Sequence, residues 1–350
     1  MTKRDYKLTE FGADFMLEAK KQRDRGRCLH FDDGIRCNRI ISAHSIQKKS
    51  LLSLIAEEGH VYRLSTDPSV LGKTGGIPIP KKMGIKSVST FAGFCKHHDN
   101  SLFRIIDNET LLPSKEQAAI YAYRSICREY FVKENAIAAL QKFKHDPRLS
   151  PSSRSILDGM YIGNSIGFNG LRCHKQVYDV ALCDKEFSGF DYVCFVSSSK
   201  CPFLLSGLLY PDFDFEGNFL QQIGIDGGPV DLITYFTAPM ACGWSFCFAW
   251  HTSSSRSCIP FLGSLANMFR SGKRIEDMLL RLAFSCSENH AIRISWWDSM
   301  ADEAKSQLIE RMHMMVLPDV PVPSHYLARG CEGMANWEVD YVYDSREETS

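Results

Sequence analysis

Two short pairs of potential ligands constrain this chain more than any other feature. They are Cys28-x8-Cys37, with His44 following after six residues, and Cys95-x2-His98 within Phe94-Cys95-Lys96-His97-His98-Asp99-Asn100. Folding that joins the pairs would assemble three thiolates and one imidazole, the closed tetrahedral donor set of a structural zinc. The Cys95-x2-His98 half has ordinary ligand spacing. The eight residues between Cys28 and Cys37 exceed a usual knuckle loop, and Gly34 eases the longer excursion. On spacing alone, His30 or His97 could replace a member of either pair.

Composition narrows the class. At 350 residues, with 44% hydrophobic and 23% charged side chains, the chain can bury a core of one or two domains. No apolar run reaches the roughly 18 residues of a membrane span, and the start MTKRDYKLTE has no signal-peptide core, so a cytoplasmic protein without membrane contact is expected. Thirteen cysteines without framework spacing read as free thiols. Cys127, Cys183, Cys194, Cys242 and Cys247 sit in apolar stretches and read as small buried hydrophobes. Net charge is zero, yet residues 1–110 carry six more Lys and Arg than Asp and Glu. Arg36, Arg39, Lys48 and Lys49, with Lys20, Lys21, Arg23, Arg25 and Arg27, flank the ligand pairs. That placement suits a phosphate-facing surface, and it equally suits a solvated helix face.

Periodicity predicts an α+β chain. Residues 7–25 read as an amphipathic helix, 40–46 as a strand carrying His44, and 49–58 as a helix stopped by Gly59. Residues 65–87 are rich in Pro and Gly and read as a mobile loop, open to protease at Lys81 and Lys82. A helix is expected after Cys95. Strong helical patterns cover 115–144 and 152–182, the second with a break near Asn169-Gly170. Strand-forming runs at 192–196, 203–210, 231–237 and 244–250 predict an antiparallel sheet, followed by helices over 262–285 and 298–315 and an extended segment beyond Pro318. The resulting division is a zinc-binding module over 1–112, a helical segment over 113–186, a mixed α/β domain over 187–343 and a disordered tail over 344–350. Trp244, Trp250, Trp296 and Trp297 read as core. No G-x-S-x-G elbow surrounds the serines near His251.

The stretch Ile41-Ser42-Ala43-His44-Ser45-Ile46-Gln47-Lys48-Lys49-Ser50-Leu51 resembles the histidine strand of HNH endonucleases. Cys95-Lys96-His97-His98-Asp99-Asn100-Ser101-Leu102-Phe103, with Asp107 beyond, is similar to that family's Cys-x2-Cys-Asn helix, with histidine in place of the second cysteine. The resemblance covers residues 28–107. It implies a zinc treble clef of two strands and a helix (ββα-metal-like), His44 as the general base that activates water, and Asp99 as a ligand of catalytic Mg2+ or Mn2+. Ala43 departs from the acidic residue or histidine common before the family's catalytic histidine, and Gln47 from its usual proline. Phosphodiester hydrolysis independently calls for a base titrating near neutrality and a cation at the phosphate.

Three functional classes follow. The first is a metal-dependent HNH-like endonuclease acting on nucleic acid, DNA in particular, with prokaryotic defence as a setting suggested by architecture alone. The second is a non-catalytic zinc protein that binds nucleic acid. The third is an interaction protein stapled by zinc.

Overall fold

The computed structural model describes residues 3–30, 37, 39–65, 73–74, 77–224, 229–314 and 322–347, with side chains from Glu10 onward. Helix α1 (Lys3–Asp24) leads to strand β1 (Ile40–His44), then to a wide helical turn over Lys48–Leu52 that runs into the short α2 (Ser53–Ile55). This is less helix than the sequence suggests, and the chain turns back at Glu57 and His60, with Gly59 in the left-handed region at φ 73°. Strands β2 (His60–Ser65) and β3 (Ile79–Gly84) follow, then β4 (Thr90–Cys95) and α3 (Lys96–Asp107).

The two longest helices are capped as their sequences demand. In α4 (Lys115–Phe143), Gln117 N–H donates to the Ser114 hydroxyl at 3.2 Å. In α5 (Pro151–Asp184), Pro151 occupies the first turn and Ser153 N–H donates to the Ser150 hydroxyl at 3.1 Å. The expected break near Asn169-Gly170 does not occur. Gly170 serves close packing instead, since a Cβ there would stand 3.1 Å from Val230 Cγ2 and 3.3 Å from the Tyr210 hydroxyl.

Strands β5 (Phe190–Ser197), β6 (Phe203–Leu209), β7 (Ile233–Met240) and β8 (Gly243–His251) match the expected runs. The single helix expected over 262–285 is two, α6 (Ser255–Arg270) and α7 (Ile275–Cys286), parted at Gly272 with φ 87°. Next come β9 (His290–Ile292), α8 (Ile294–Asp298), α9 (Asp302–Met314) and β10 (Tyr341–Asp344).

The described strands form one antiparallel pair, β1–β4, and an eight-stranded sheet in the order β10-β5-β8-β7-β6-β9-β2-β3, antiparallel throughout. Side chains alternate between two cores. Tyr192, Cys194, Val196, Cys247 and Ala249 face α4, where Tyr121 stacks on Phe236 at 4.7 Å. Val193, Phe195, Phe246, Phe248 and Trp250 face α6 and α7. Trp244, Trp250, Trp296 and Trp297 are all buried. Helix α4 is the shared beam of the molecule, because it packs against β4 and α3 on one side and against β5, β6, β7 and β8 on the other.

Several expectations change. Residues 79–84 are not loop: Lys81 pairs with Arg63 and Lys82 with Tyr62, while 66–72 and 75–76 lie outside the described residues. Strands β2 and β3, which fall within the 1–112 span, belong to the large sheet. Breaker residues misled the reading because β3 is an edge strand, where Pro80 and two lysines are tolerated and discourage further pairing. The tail expected to be disordered from Asp344 is ordered through Glu347. Asp344 pairs with Val193, and Ser345 accepts the Tyr192 N–H at 2.9 Å; residues 348–350 lie outside the description. Of the segment beyond Pro318, expected extended, the described residues from Val322 onward are mostly turns and bends before β10. Cys183 and Cys242 are exposed rather than buried, one near the end of α5 and the other in the tight β7–β8 turn.

One buried group ties β2 to the large sheet and titrates. His290 Nε2 accepts the Leu64 N–H at 3.0 Å, and Nδ1 donates to the Ser287 carbonyl at 3.2 Å, so the neutral ring satisfies both neighbours. Burial, with smaller contributions from Arg63 and Arg128, depresses its pKa to about 3. Unfolded histidine titrates near 6.5, so between about 6.5 and 3 the unfolded chain binds the extra proton and stability falls as pH drops. Urea unfolding followed across this window should show wild type losing more stability on acidification than His290→Gln. Parallel pH profiles would refute this role.

Candidate metal centre and adjoining cleft

Three backbone segments converge at the ligand pairs. Residues 27–29 run beside β4, with Arg27 N–H donating to the Ala92 carbonyl at 3.0 Å and Leu29 N–H to the Gly93 carbonyl at 2.9 Å. This carries Cys28 to the end of β4. Strand β1 pairs antiparallel with β4, Ile40 opposite Cys95, which anchors the return from Cys37. Cys95 is the N-cap of α3, and its sulfur accepts the His98 N–H at 3.4 Å. The helix end thus presents its partial positive charge to a sulfur ligand.

Cys28, Cys37, Cys95 and His98 place their ligand atoms all within 4.8 Å of one another. His98 Nδ1 stands 3.2 Å from Cys28 Sγ, 3.5 Å from Cys95 Sγ and 3.6 Å from Cys37 Sγ. Tetrahedral zinc with thiolate and imidazole ligands has nitrogen–sulfur edges of roughly 3.5 Å, so both the donor chemistry and the spacing fit such an ion. Spacing had left His30 and His97 open as substitutes, and geometry decides between them. His30 turns its Nδ1 to the Tyr123 hydroxyl at 3.1 Å, and His97 is exposed outside the cluster. Burial pushes the Cys28 thiol up to about 12, so metal uptake there must displace protons.

Beside this cluster, and lined by none of its four residues, opens a cleft of about 540 Å3. His44 and Asp99 both line it. His44 ends β1 facing outward with exposed Ser42, while Ala43 turns into the core across a register irregularity between Ile41 and Ala43. The strand expected over 40–46 ends at His44, and Ile46 beyond it is buried. His44 Nε2 lies 3.0 Å from the Ile85 carbonyl, an acceptor, so Nε2 carries the proton and the neutral ring keeps Nδ1 as a base. Burial lowers the His44 pKa below its ordinary value; the Ile85 carbonyl opposes this and Lys48 reinforces it. Burial raises that of Asp99, with Arg124 opposing. Asp99 Oδ1 is buried without a hydrogen-bond partner among the described residues.

Of the basic residues singled out, Lys48 and Lys49 line the cleft, Arg39 is exposed outside its lining, and Arg36 lies outside the described residues. The structure adds Arg104 from α3 and Arg124 from α4. Arg124 is buried, forks onto Asp107 at 2.8 and 2.7 Å and lies 4.0 Å over the Phe103 ring. Spacing along α3 from Asp99 could have suggested Arg104. Nothing local could have suggested Arg124, which arrives from another helix. Among the described residues, Lys48, Lys49 and Arg104 make no ion pair. Among the described residues, the four ligand groups above are the cluster of three or more that comes together, and His44 and Asp99 are not in it.

These features define an α+β protein with a candidate Cys3His metal centre, and no helix among the described residues is long and apolar enough to cross a membrane. No protein-family model matches the chain, and neither a curated protein nor a solved structure does.

Proposed function

We propose that this is a zinc-containing nucleic-acid-binding protein. Cys28, Cys37, Cys95 and His98 hold one structural zinc, and the cleft beside it receives a phosphate backbone. The observation that carries this reading is the convergence of the four ligand atoms at the spacing of tetrahedral zinc. The cationic rim supports the choice of ligand: Lys48, Lys49 and Arg104 are free to meet phosphates, while Arg124 is held by Asp107. Zinc here holds the segments carrying Cys28 and Cys37 to the junction of β4 and α3, and so helps set the shape of the cleft that α3 lines. On this reading, affinity for a DNA duplex falls steeply with salt, each phosphate contact contributing a slope of about −0.9 in log K against log salt. Lys48→Glu combined with Lys49→Glu should weaken binding at low salt by tenfold or more and flatten the slope by about two contacts. If wild type binds neither duplex nor single-stranded DNA in a salt-dependent way, the chain is instead a zinc-stapled interaction protein.

A second reading is favoured by one observation: His44 and Asp99, on different elements, line the same cleft while the zinc ligands do not. It is hydrolysis of phosphodiester bonds in the manner of the HNH endonucleases that residues 28–107 resemble, with β1, β4 and α3 as the treble clef. His44, held neutral by burial and oriented by the Ile85 carbonyl, would take the proton of the attacking water. Asp99 would help hold Mg2+ or Mn2+, whose remaining positions phosphate oxygens and water commonly fill. Service in prokaryotic defence belongs to this reading. Incubation of plasmid and single-stranded DNA with Mg2+ or Mn2+ separates it from binding alone.

A further inference from the structure

Away from the cleft, a second cavity of about 340 Å3 lies where α4, α5, β6, β7 and the segment after α9 meet. That volume is at the lower end of small-molecule pockets. We propose that this cavity binds a small organic cation, a protonated amine or guanidinium, at a site separate from the zinc centre.

Hydrogen-bond acceptors outnumber donors around its wall. Three tyrosines line the cavity, and the proton of each hydroxyl is already committed. Tyr210 donates to the Gly167 carbonyl at 3.0 Å, Tyr235 to the Cys286 carbonyl at 2.5 Å, and Tyr326 to Asp212 Oδ1 at 3.5 Å. Each hydroxyl can therefore offer a ligand only its oxygen lone pairs. The carboxylates of Glu129, Asp212 and Glu288 extend the same character around the wall, though Glu129 Oε1 already pairs with Arg128 and Asp212 Oδ1 accepts the Phe213 N–H at 2.9 Å. Against them, among the described residues, stand three donor side chains, Lys133, Asn164 and Ser206; Asn164 already uses one N–H on the Met160 carbonyl at 2.8 Å, and the Ser206 hydroxyl shares a hydrogen bond with that of Ser125 at 2.8 Å.

The aromatic wall is built in, because Tyr235 lies so close over Gly207 that a Cβ there would approach its ring to 2.7 Å. Burial pushes the Asp212 carboxyl above its ordinary range, a cost that a bound cation would relieve. An enclosure rich in acceptors, poor in donors and faced with aromatic rings selects a ligand that carries donors and positive charge together. An anion would meet three carboxylates, and a neutral apolar ligand would leave the acceptors unpaired.

Isothermal titration calorimetry of the full chain tests this, with agmatine and spermidine as cationic probes, butylurea as a neutral one and succinate as an anionic one. Saturable one-site binding of agmatine or spermidine is expected, weakened about tenfold or more by combined Glu129→Gln and Glu288→Gln. Glu288 is exposed, so Glu288→Gln alone should leave folding intact and weaken binding about threefold. His44→Ala, in the other cleft, should leave the titration unchanged. If the double variant does not fold, Glu288→Gln decides. The proposal is overturned if neither cation saturates by about 10 mM, if butylurea or succinate binds as tightly, or if the glutamine variants match wild type.

Discussion

Purified protein is expected to carry about one zinc per chain, and Cys95→Ser should remove it and lower stability sharply. Cys95 is the most consequential of the four ligands. It is fully buried, closes β4 and caps α3, so its loss opens the metal site and frees the helix end together. In small zinc domains binding is worth on the order of 10 kcal/mol, comparable with the whole stability of a typical domain. Here β4 and α3 also pack on α4, so part of the structure should survive and the loss should be smaller than in an isolated finger. Elemental analysis should show zinc falling to near zero, and thermal unfolding should shift down or split into two transitions. Cys28→Ser should act in the same direction, while Cys258→Ser, buried in the core that α6 and α7 cover and not one of the four ligands, should leave zinc content unchanged. Well-folded wild-type protein without zinc would end this reading, and with it the account of how the cleft is shaped.

His44→Ala carries the second large effect, and it separates an enzyme from a binder. If the cleft hydrolyses phosphodiesters, removing the base should slow Mg2+- or Mn2+-dependent cleavage by about a hundredfold or more, while zinc content and DNA affinity stay near wild type. The pH dependence has a defined sign. Burial depresses the His44 pKa, so the ring stays neutral and able to accept a proton somewhat below the ordinary histidine value of about 6.5. Cleavage should therefore persist as pH falls through about 6.5 and disappear only lower, through the depressed pKa. An alanine variant as active as wild type excludes His44 as the base. A wild type that never cleaves with either metal leaves the binding function standing alone.

Much of the local structure was legible from residue patterns. The helical patterns over 115–144 and 152–182 became α4 and α5, and the apolar runs at 192–250 became adjacent antiparallel strands. Where reading failed, tertiary context overrode local preference. Pro80, Lys81 and Lys82 signal a loop in isolation, yet they form an edge strand because β2 offers them a partner. Gly170 signals a break, yet it stays helical because Tyr210 and Val230 need the space.

By itself the sequence determined which side chains have metal-binding chemistry, and the Cys95-x2-His98 spacing put two of them within reach of one ion, because one helical turn closes that distance. It could not place Cys28 and Cys37 beside them, nor choose His98 over His97 and exclude His30. Those outcomes depend on β1 pairing with β4 and on Tyr123 of α4 engaging His30. Only the tertiary structure placed Arg124 in the cleft beside His44 and Asp99, and only it joined β2 and β3 to a sheet made mostly by the second half of the chain. The physical reason is common to all of these. Helix caps, turns and short ligand pairs are decided by neighbours a few residues away, whereas sheet partners and cleft walls are decided by which distant surfaces bury each other.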